Sequence, residues 1–78
     1  MAGIKKGIYE HYKGKRYEVV GLARHSETLE EMVVYKALYK GDFPRGSLWV
    51  RPKKMFIENV TVKRAVVPRF KFIGKNGA

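Results

Sequence analysis

The stretch "GIYEHYKGKRYEVVGLAR", residues 7–24, decides the fold because it predicts two antiparallel strands joined by a turn. Apolar and polar residues alternate in its first arm, which places Tyr9 and His11 on the same face of a strand. The following "KGK" favours a tight turn, since Gly14 tolerates a positive φ between polar neighbours. Gly21 interrupts the second arm and indicates a bulge or bend, a feature that helps a short sheet to curl. The stretch therefore predicts a curled β-hairpin.

The next segment, "TLEEMVVYKALYKG", fits two secondary structures. Thr28 and Glu31 could form the capping box of a helix that ends at Gly41. As a strand, the segment offers the β-branched and aromatic run "VVY", residues 33–35. We favour the strand, because the helix would be apolar almost all round and so small a domain could hardly bury it.

The second half of the chain predicts more short strands. "KGDFPRGS" is a loop, "LWVRP" is a strand that ends at Pro52, and "KKMF" is one helical turn, followed by the strands "NVTV" and "AVVPRFKFI". Together these elements predict a mainly β protein, a five- or six-stranded antiparallel open barrel of SH3-like type with at most one short helical turn. We expect residues 1–78 to form a single domain, with an ordered core over about residues 7–73 and a frayed tail.

The composition excludes several classes of function. The 78 residues contain no cysteine, which removes disulfides, thiolate catalysis and the usual structural zinc sites, and we expect neither a cofactor nor a bound metal. No apolar run approaches the ~20 residues of a membrane helix, and the first residues lack the apolar core of a signal peptide, so we expect a cytoplasmic protein. The 17 Lys and Arg outnumber 7 Asp and Glu, and the net charge of +10 favours polyanionic partners, nucleic acid first.

The acidic and basic residues are segregated along the chain. The stretch "ARHSETLEE", residues 23–31, holds three of the seven carboxylates, Glu27, Glu30 and Glu31. The cations cluster elsewhere: Lys5 and Lys6; Lys13, Lys15 and Arg16; Arg51, Lys53 and Lys54; Lys63 and Arg64; Arg69 and Lys71. Because a phosphate backbone would be repelled by the acidic stretch, we expect that stretch to lie off any nucleic-acid path.

The acidic stretch also contains residue types that serve in catalysis. His25 and Ser26 are sequence neighbours, and neighbours on a strand point to opposite sides, which makes a serine nucleophile activated by this histidine geometrically poor. A metal site of His11, His25 and Glu27 would need a particular register of the first two strands. The simpler interpretation is a turn in which side chains such as Thr28 bond the backbone. The residues of this stretch therefore favour a non-enzymatic protein over an enzyme.

A binding site is the stronger hypothesis. If Arg24 and Arg51 project from neighbouring strands, they form a cationic floor beside Trp49, suited to a phosphate, a carboxylate or a stacked base. Tyr9 and Tyr39 could add stacking surfaces, unless these rings fill the core. The candidate ligand-binding residues are Arg24, His25, Glu27, Tyr35, Trp49, Arg51 and Arg69.

The sequence therefore favours a non-enzymatic, monomeric binding module for nucleic acid or a nucleotide-like anion. Two alternatives stay open. One is a small-molecule-binding or accessory domain of an enzyme, and the other is a peptide-recognition module with a protein partner.

Several short motifs carry a family resemblance. They are "HYKG", "ARHSET", "VVY", "ALY", "WVRP", "MF" and "PRF", spread from Gly7 to Ile73. In these motifs the chain resembles the domain of unknown function 1653 (DUF1653), a family of small bacterial proteins. The resemblance implies a compact, mainly β domain that occurs alone or attached to others, and the family name implies no function. The chain departs from the family in its longer loop "KGDFPRGS" and in Lys63 and Arg64, where an Asp-Gly turn is frequent.

Overall fold

The computed structural model describes residues 4–75, which form seven strands and one short helix. In chain order the elements are β1 (Gly7–His11), β2 (Arg16–Arg24), β3 (Glu31–Ala37), β4 (Leu48–Pro52), α1 (Lys53–Phe56), β5 (Asn59–Val62), β6 (Ala65–Pro68) and β7 (Phe70–Gly74). Five strands form one antiparallel sheet in the order β4-β3-β2-β1-β7, and β5 pairs with β6 in a second sheet. The predicted mainly β, open antiparallel fold with one helical turn is confirmed. Within residues 4–75 no helix is long and apolar enough to cross a membrane.

The predicted β-hairpin of residues 7–24 is present. β1 pairs with β2 in antiparallel register, and Gly14 in the turn has a φ of 103°. The register of β2 against β3 shifts between Val19 and Gly21, so Val20 is the extra residue of a bulge. The bend that Gly21 indicated in the sequence is therefore a β-bulge, and the segment after it is the strand β3 rather than a helix.

The structure contains seven strands, one more than the five or six expected from the sequence, because the segment "AVVPRFKFI" divides into two strands at Arg69. β6 pairs with β5, whereas β7 pairs with β1. The N–H of Arg69 donates to the carbonyl of Glu58 at 2.9 Å, and the carbonyl of Arg69 accepts from the N–H of Tyr12 at 3.0 Å. One residue thus links the two sheets. The SH3-like type of the barrel stays a prediction.

The core lies on the inner face of the five-stranded sheet. Residues that pair directly across two strands point to the same side, and the pairs Tyr9 with Tyr17 and Val19 with Tyr35 lie on that inner face. The core cluster consists of Tyr9, Val19, Val33, Tyr35, Phe56 and Phe70. The ring of Phe56, from α1, stacks on Phe70 with centroids 4.1 Å apart. The same ring lies 5.3 Å from the centroid of Tyr9 and 5.6 Å from that of Tyr35, so aromatic contacts fix the helical turn to the sheet.

The close approach of β1 to β7 requires a glycine at the start of β1. Gly7 has a φ of 141°, and a Cβ at this position would lie 2.7 Å from the carbonyl oxygen of Gly74. An L side chain here is excluded both by its backbone conformation and by this backbone contact. Gly7 therefore allows β7 to join the sheet beside β1.

Candidate functional site

Three of the predicted site residues lie together on β3 and β4. Tyr35 is the register partner of Trp49, and Nε of Arg51 donates to the hydroxyl of Tyr35 at 3.3 Å. Tyr35 is only 5% exposed and its ring belongs to the core, so it holds Arg51 in place and does not offer a stacking surface. The guanidinium of Arg51 also lies over the ring of Phe70, 5.6 Å from its centroid. Trp49 is 38% exposed and remains accessible to a ligand.

Arg24 and Arg51 do not lie on neighbouring strands, because β3 separates β2 from β4. Arg24 pairs in register with Glu31, and its Nη1 donates to the carbonyl of Leu29 at 2.7 Å. Arg51 pairs with Val33, further along the sheet. The cationic floor that depended on neighbouring strands is thus not formed, and Arg24 instead supports the turn that follows it.

His25 and Glu27 belong to the turn between β2 and β3. Nδ1 of His25 accepts the backbone N–H groups of Glu27 at 3.1 Å and Thr28 at 3.3 Å. The Oγ1 of Thr28 accepts the N–H of Glu30 at 3.2 Å. This is the kind of side-chain bond to the backbone that we expected of a turn. The imidazole of His25 is a further acceptor of backbone N–H groups, which we did not predict from the sequence. His25 therefore organises the turn through its own ring.

The acidic side chains of this turn neutralise part of the basic surface. Glu31 lies 3.4 Å from Nζ of Lys53, and Glu30 lies 3.6 Å from Nζ of Lys54. The predicted basic cluster that contains these two lysines is therefore balanced by carboxylates.

The two histidines lie at opposite ends of β2. His11 ends β1 beside the first residues of β2, whereas His25 directly follows the last residue of β2. A nine-residue strand spans roughly 30 Å at ~3.3 Å per residue. His11, His25 and Glu27 therefore do not converge on a metal ion, and residues 4–75 contain no group of three or more potential ligands placed to hold one.

Arg69 is engaged at the junction of the two sheets. Its Nη2 donates to Oε1 of Glu58 at 3.0 Å, and its backbone bonds Glu58 and Tyr12. This salt bridge joins the residue between β6 and β7 to the segment between α1 and β5. The primary role of Arg69 is thus to connect the sheets.

Exposed aromatic rings and cations meet at one end of the five-stranded sheet. The turn between β1 and β2 and the loop between β3 and β4 come together there, as shown by the hydrogen bond from the N–H of Leu38 to the carbonyl of Arg16 at 3.0 Å. We call this surface the basic aromatic end; it comprises Tyr12, Lys13, Lys15, Tyr39, Lys40, Phe43, Arg45 and Trp49.

The aromatic rings of the basic aromatic end form two contacts. The rings of Phe43 and Trp49 meet edge to face with centroids 5.2 Å apart, and Phe43 is 58% exposed. Nζ of Lys15 lies 5.0 Å from the centroid of Tyr39. The hydroxyl of Tyr39 is hydrogen-bonded to that of Tyr17 at 2.8 Å, which fixes the loop to the sheet. A pocket of about 200 Å³ lies between Tyr39, Phe43 and Trp49.

The charge at this end is largely unbalanced. Among residues 4–75, Lys13, Lys15, Lys40 and Arg45 have no carboxylate within 4.0 Å, and Asp42 is the acidic residue of the adjoining loop. The acidic turn that contains His25 lies at the opposite end of β2. The molecule is therefore electrostatically polar along β2, with its exposed rings at the cationic end.

Two titratable groups beside this end are kept neutral. Burial lowers the pKa of His11, and the nearby cations Arg51, Arg69 and Lys13 lower it further. Burial raises the pKa of Tyr17, and its hydrogen bond to Tyr39 adds to the effect. At neutral pH both groups therefore act as uncharged hydrogen-bonding partners.

Sequence reasoning did not select Phe43, Lys13, Lys15 or Arg45 as site residues. The signal available was a large apolar residue, Phe43, inside the polar loop "KGDFPRGS". A phenylalanine in such a loop has no periodic neighbours with which to be buried, so its exposure can be anticipated. The contact between Phe43 and Trp49 could not be anticipated, because it depends on how the loop folds back.

Fold and site together define a small, basic, open β domain whose accessible aromatic rings are gathered at one cationic end. The family model described as a protein of unknown function (DUF1653) matches residues 7–72, and the chain belongs to this family. The chain is similar to the crystal structure of a DUF1653 protein from Bordetella bronchiseptica, with 37% sequence identity and a TM-score of 0.85 over 96% of this chain and 94% of that one. No curated protein matches the chain.

Proposed function

We propose that this protein is a binding domain for single-stranded nucleic acid, which it contacts with the basic aromatic end. The observation that carries the proposal is the pair of exposed rings, Phe43 and Trp49, next to cations without carboxylate partners. Aromatic rings stack on unpaired bases and cations attract the phosphates, a combination typical of proteins that bind single strands. Bases inside a duplex could not reach these rings, so a single strand is the better ligand.

Each group has a distinct role in this proposal. Phe43 and Trp49 are the stacking platforms, while Lys13, Lys15 and Arg45 contact phosphates. Nε of Arg45 donates to the carbonyl of Leu38 at 3.3 Å, which leaves the rest of its guanidinium for a ligand. The acidic turn at the far end of β2 repels the strand and so favours binding at the basic aromatic end.

Fluorescence provides a direct test, because Trp49 is the single tryptophan of the chain. A titration with a short DNA or RNA oligonucleotide at low salt is expected to quench this fluorescence by stacking. Substitution of Phe43→Ala should weaken binding by about 5- to 150-fold, the equivalent of ~1–3 kcal/mol for a stacked base. Absence of quenching at low salt would contradict the proposal.

A charge-matched pair of variants separates a specific site from general attraction. Lys13→Gln with Lys15→Gln removes two cations from the site and should make the slope of log K against log salt shallower by about 1.4. Lys63→Asn with Arg64→Gly removes two cations from the β5–β6 turn, where both residues have positive φ and the replacements fit. The variant with Lys63→Asn and Arg64→Gly is the control and should keep most of its affinity for the oligonucleotide. Equal losses of affinity in the two variants would show non-specific attraction only.

Recognition of an extended peptide is a second candidate, favoured by a different observation. β4 is an edge strand of the five-stranded sheet, and its Leu48 and Val50 side chains are exposed. Such an edge can accept an added strand. Binding of this kind would depend only weakly on salt, whereas phosphate binding depends on it steeply. The slope of log K against log salt therefore distinguishes peptide binding from nucleic-acid binding.

A further inference from the structure

A separate cavity of about 460 Å³ lies where the end of β1 faces β6 and β7. Its walls include Glu10, His11, Tyr12, Val67, Pro68 and Lys71. Cavities of this size hold small organic ligands, which typically need an apolar wall and a few polar groups that fix their orientation. Tyr12 belongs both to the basic aromatic end and to this cavity, whereas the residues assigned above to stacking and phosphate contact do not line it.

One wall of the cavity suits a planar ring. The ring of Tyr12 lies beside that of His11, with centroids 4.5 Å apart and an interplanar angle of 31°. Val67 and Pro68, from β6, add apolar groups to the lining of the cavity. Tyr12 is partly exposed, so its ring is accessible from the cavity.

The polar groups supply hydrogen-bond donors, an acceptor and a cation. Nδ1 of His11 accepts the N–H of Lys13 at 3.1 Å, so a neutral His11 carries its proton on Nε2 and can donate from there. Glu10 offers a carboxylate, 3.9 Å from Nε of Arg16. Lys71 is the register partner of Glu10 on β7 and has no carboxylate within 4.0 Å among residues 4–75.

This set of groups matches the chemistry of a nucleotide. Ring nitrogens and carbonyl oxygens of a base accept hydrogen bonds, exocyclic amino groups donate them, and the phosphate is an anion. A simple fatty or aliphatic acid has no planar ring to lie against Tyr12.

We propose that the cavity between β1 and β6 binds one nucleotide, with its base against Tyr12 and Pro68 and its phosphate at Lys71. The inference rests on the proposed binding of nucleic acid and specifies a second subsite for it. The nucleotide can belong to a bound strand or be free in solution, since the two present the same base and phosphate.

The test is NMR titration of the isotope-labelled protein with adenosine monophosphate, uridine monophosphate and ribose phosphate. At least one nucleotide should shift the signals of His11, Tyr12 and Val67, and ribose phosphate should not, because it lacks the base. Tyr12→Ala should weaken nucleotide binding at least about fivefold, the lower end of the effect of losing a stacked base. Lys71→Gln should weaken it too, whereas Lys63→Asn, remote from the cavity, should not.

The same titration with an oligonucleotide, and with one that contains an abasic nucleotide, distinguishes the two proposals. Phe43→Ala is expected to weaken oligonucleotide binding and to leave unchanged the shifts of the His11, Tyr12 and Val67 signals that a mononucleotide causes, because Phe43 does not line the cavity. If the oligonucleotide binds through Phe43 while no nucleotide shifts the cavity signals, the second subsite is wrong and the binding domain stands. If no oligonucleotide binds at low salt, the proposed function itself is wrong.

Discussion

His11 and His25 each use Nδ1 to accept backbone N–H groups next to a turn. His25 receives two such groups in the turn after β2, and His11 receives the N–H of Lys13 in the turn after β1. For His11, whose pKa is lowered by burial and nearby cations, the ring is neutral and Nδ1 is free to accept. The two histidines, which the sequence offered as ligand candidates, therefore stabilise turns in the folded chain.

The state of His11 predicts a dependence of stability on pH. Burial and the neighbouring Arg51, Arg69 and Lys13 hold its folded-state pKa below the ordinary value, so the unfolded chain takes up the proton first as the pH falls. The free energy of unfolding is expected to decrease between about pH 7.5 and pH 5.5, a window that includes the unperturbed pKa of ~6.5.

Urea unfolding at these two pH values checks this dependence. His11→Asn provides the comparison, because asparagine has an oxygen that can accept the N–H of Lys13 but no group that titrates in this range. The variant should lose less stability on acidification than the original protein. Equal losses in both proteins would assign the effect to other groups.

At the scale of the element, α1 shows a helical turn that depends on tertiary contacts. It has four residues and no side-chain cap, and so short a helix is unstable alone. Phe56, only 2% exposed, stacks on Phe70 and meets the ring of Tyr9 edge to face at 5.3 Å. The position of α1 thus follows from where one side chain is buried.

Phe56→Ala is expected to reduce the free energy of unfolding by about 3–5 kcal/mol, as is usual when a buried phenylalanine is removed from a core. This is a large share of the ~5–15 kcal/mol available to a domain. Met55→Ala, in the same helical turn but exposed, should cost far less. Chemical denaturation measures both, and similar losses for the two variants would contradict the role of Phe56.

At the scale of the whole molecule, the net charge of +10 has an energetic consequence. Five carboxylates form salt bridges within residues 4–75, namely Glu10, Glu18, Glu30, Glu31 and Glu58, and most cations have no such partner there. The uncompensated cations repel one another in the compact state, and this repulsion is screened by salt. The same excess of charge attracts a polyanion.

We expect the Tm to rise when the concentration of NaCl increases from about 20 mM to about 300 mM, because the Debye length shortens over this range. The variant with Lys13→Gln and Lys15→Gln should show a smaller rise, since part of the repulsion is already removed. Thermal unfolding followed by circular dichroism measures both proteins. A Tm that does not change, or falls, with salt would show that repulsion is not significant.

Much of the fold could be predicted because its signals are local. The alternation of residues 7–24, the glycine turn at Gly14 and the bulge near Gly21 each depend on a few adjacent residues. The strand over residues 31–37 was favoured over a helix by burial, and the helical turn "KKMF" was predicted where it is found.

The site was predicted less well, because it depends on contacts between distant segments. Only Tyr35, Trp49 and Arg51 of the seven candidates lie together, whereas Arg24, His25 and Glu27 lie in or beside a turn and Arg69 links the sheets. Phe43 joins Trp49 through the fold of a loop, and the walls of the larger cavity come from residues 10–14 and 67–71.

The sequence by itself determined the kind of protein: a basic chain of short strands, too small for a second core, with its carboxylates and cations segregated. Only the tertiary structure decided that β3 lies between β2 and β4, that residues 65–74 divide between two sheets, and which rings remain exposed. The physical reason is that the periodicity of apolar side chains indicates only which face of a strand is buried. It does not record which strands pair, because that choice depends on the packing of the whole core.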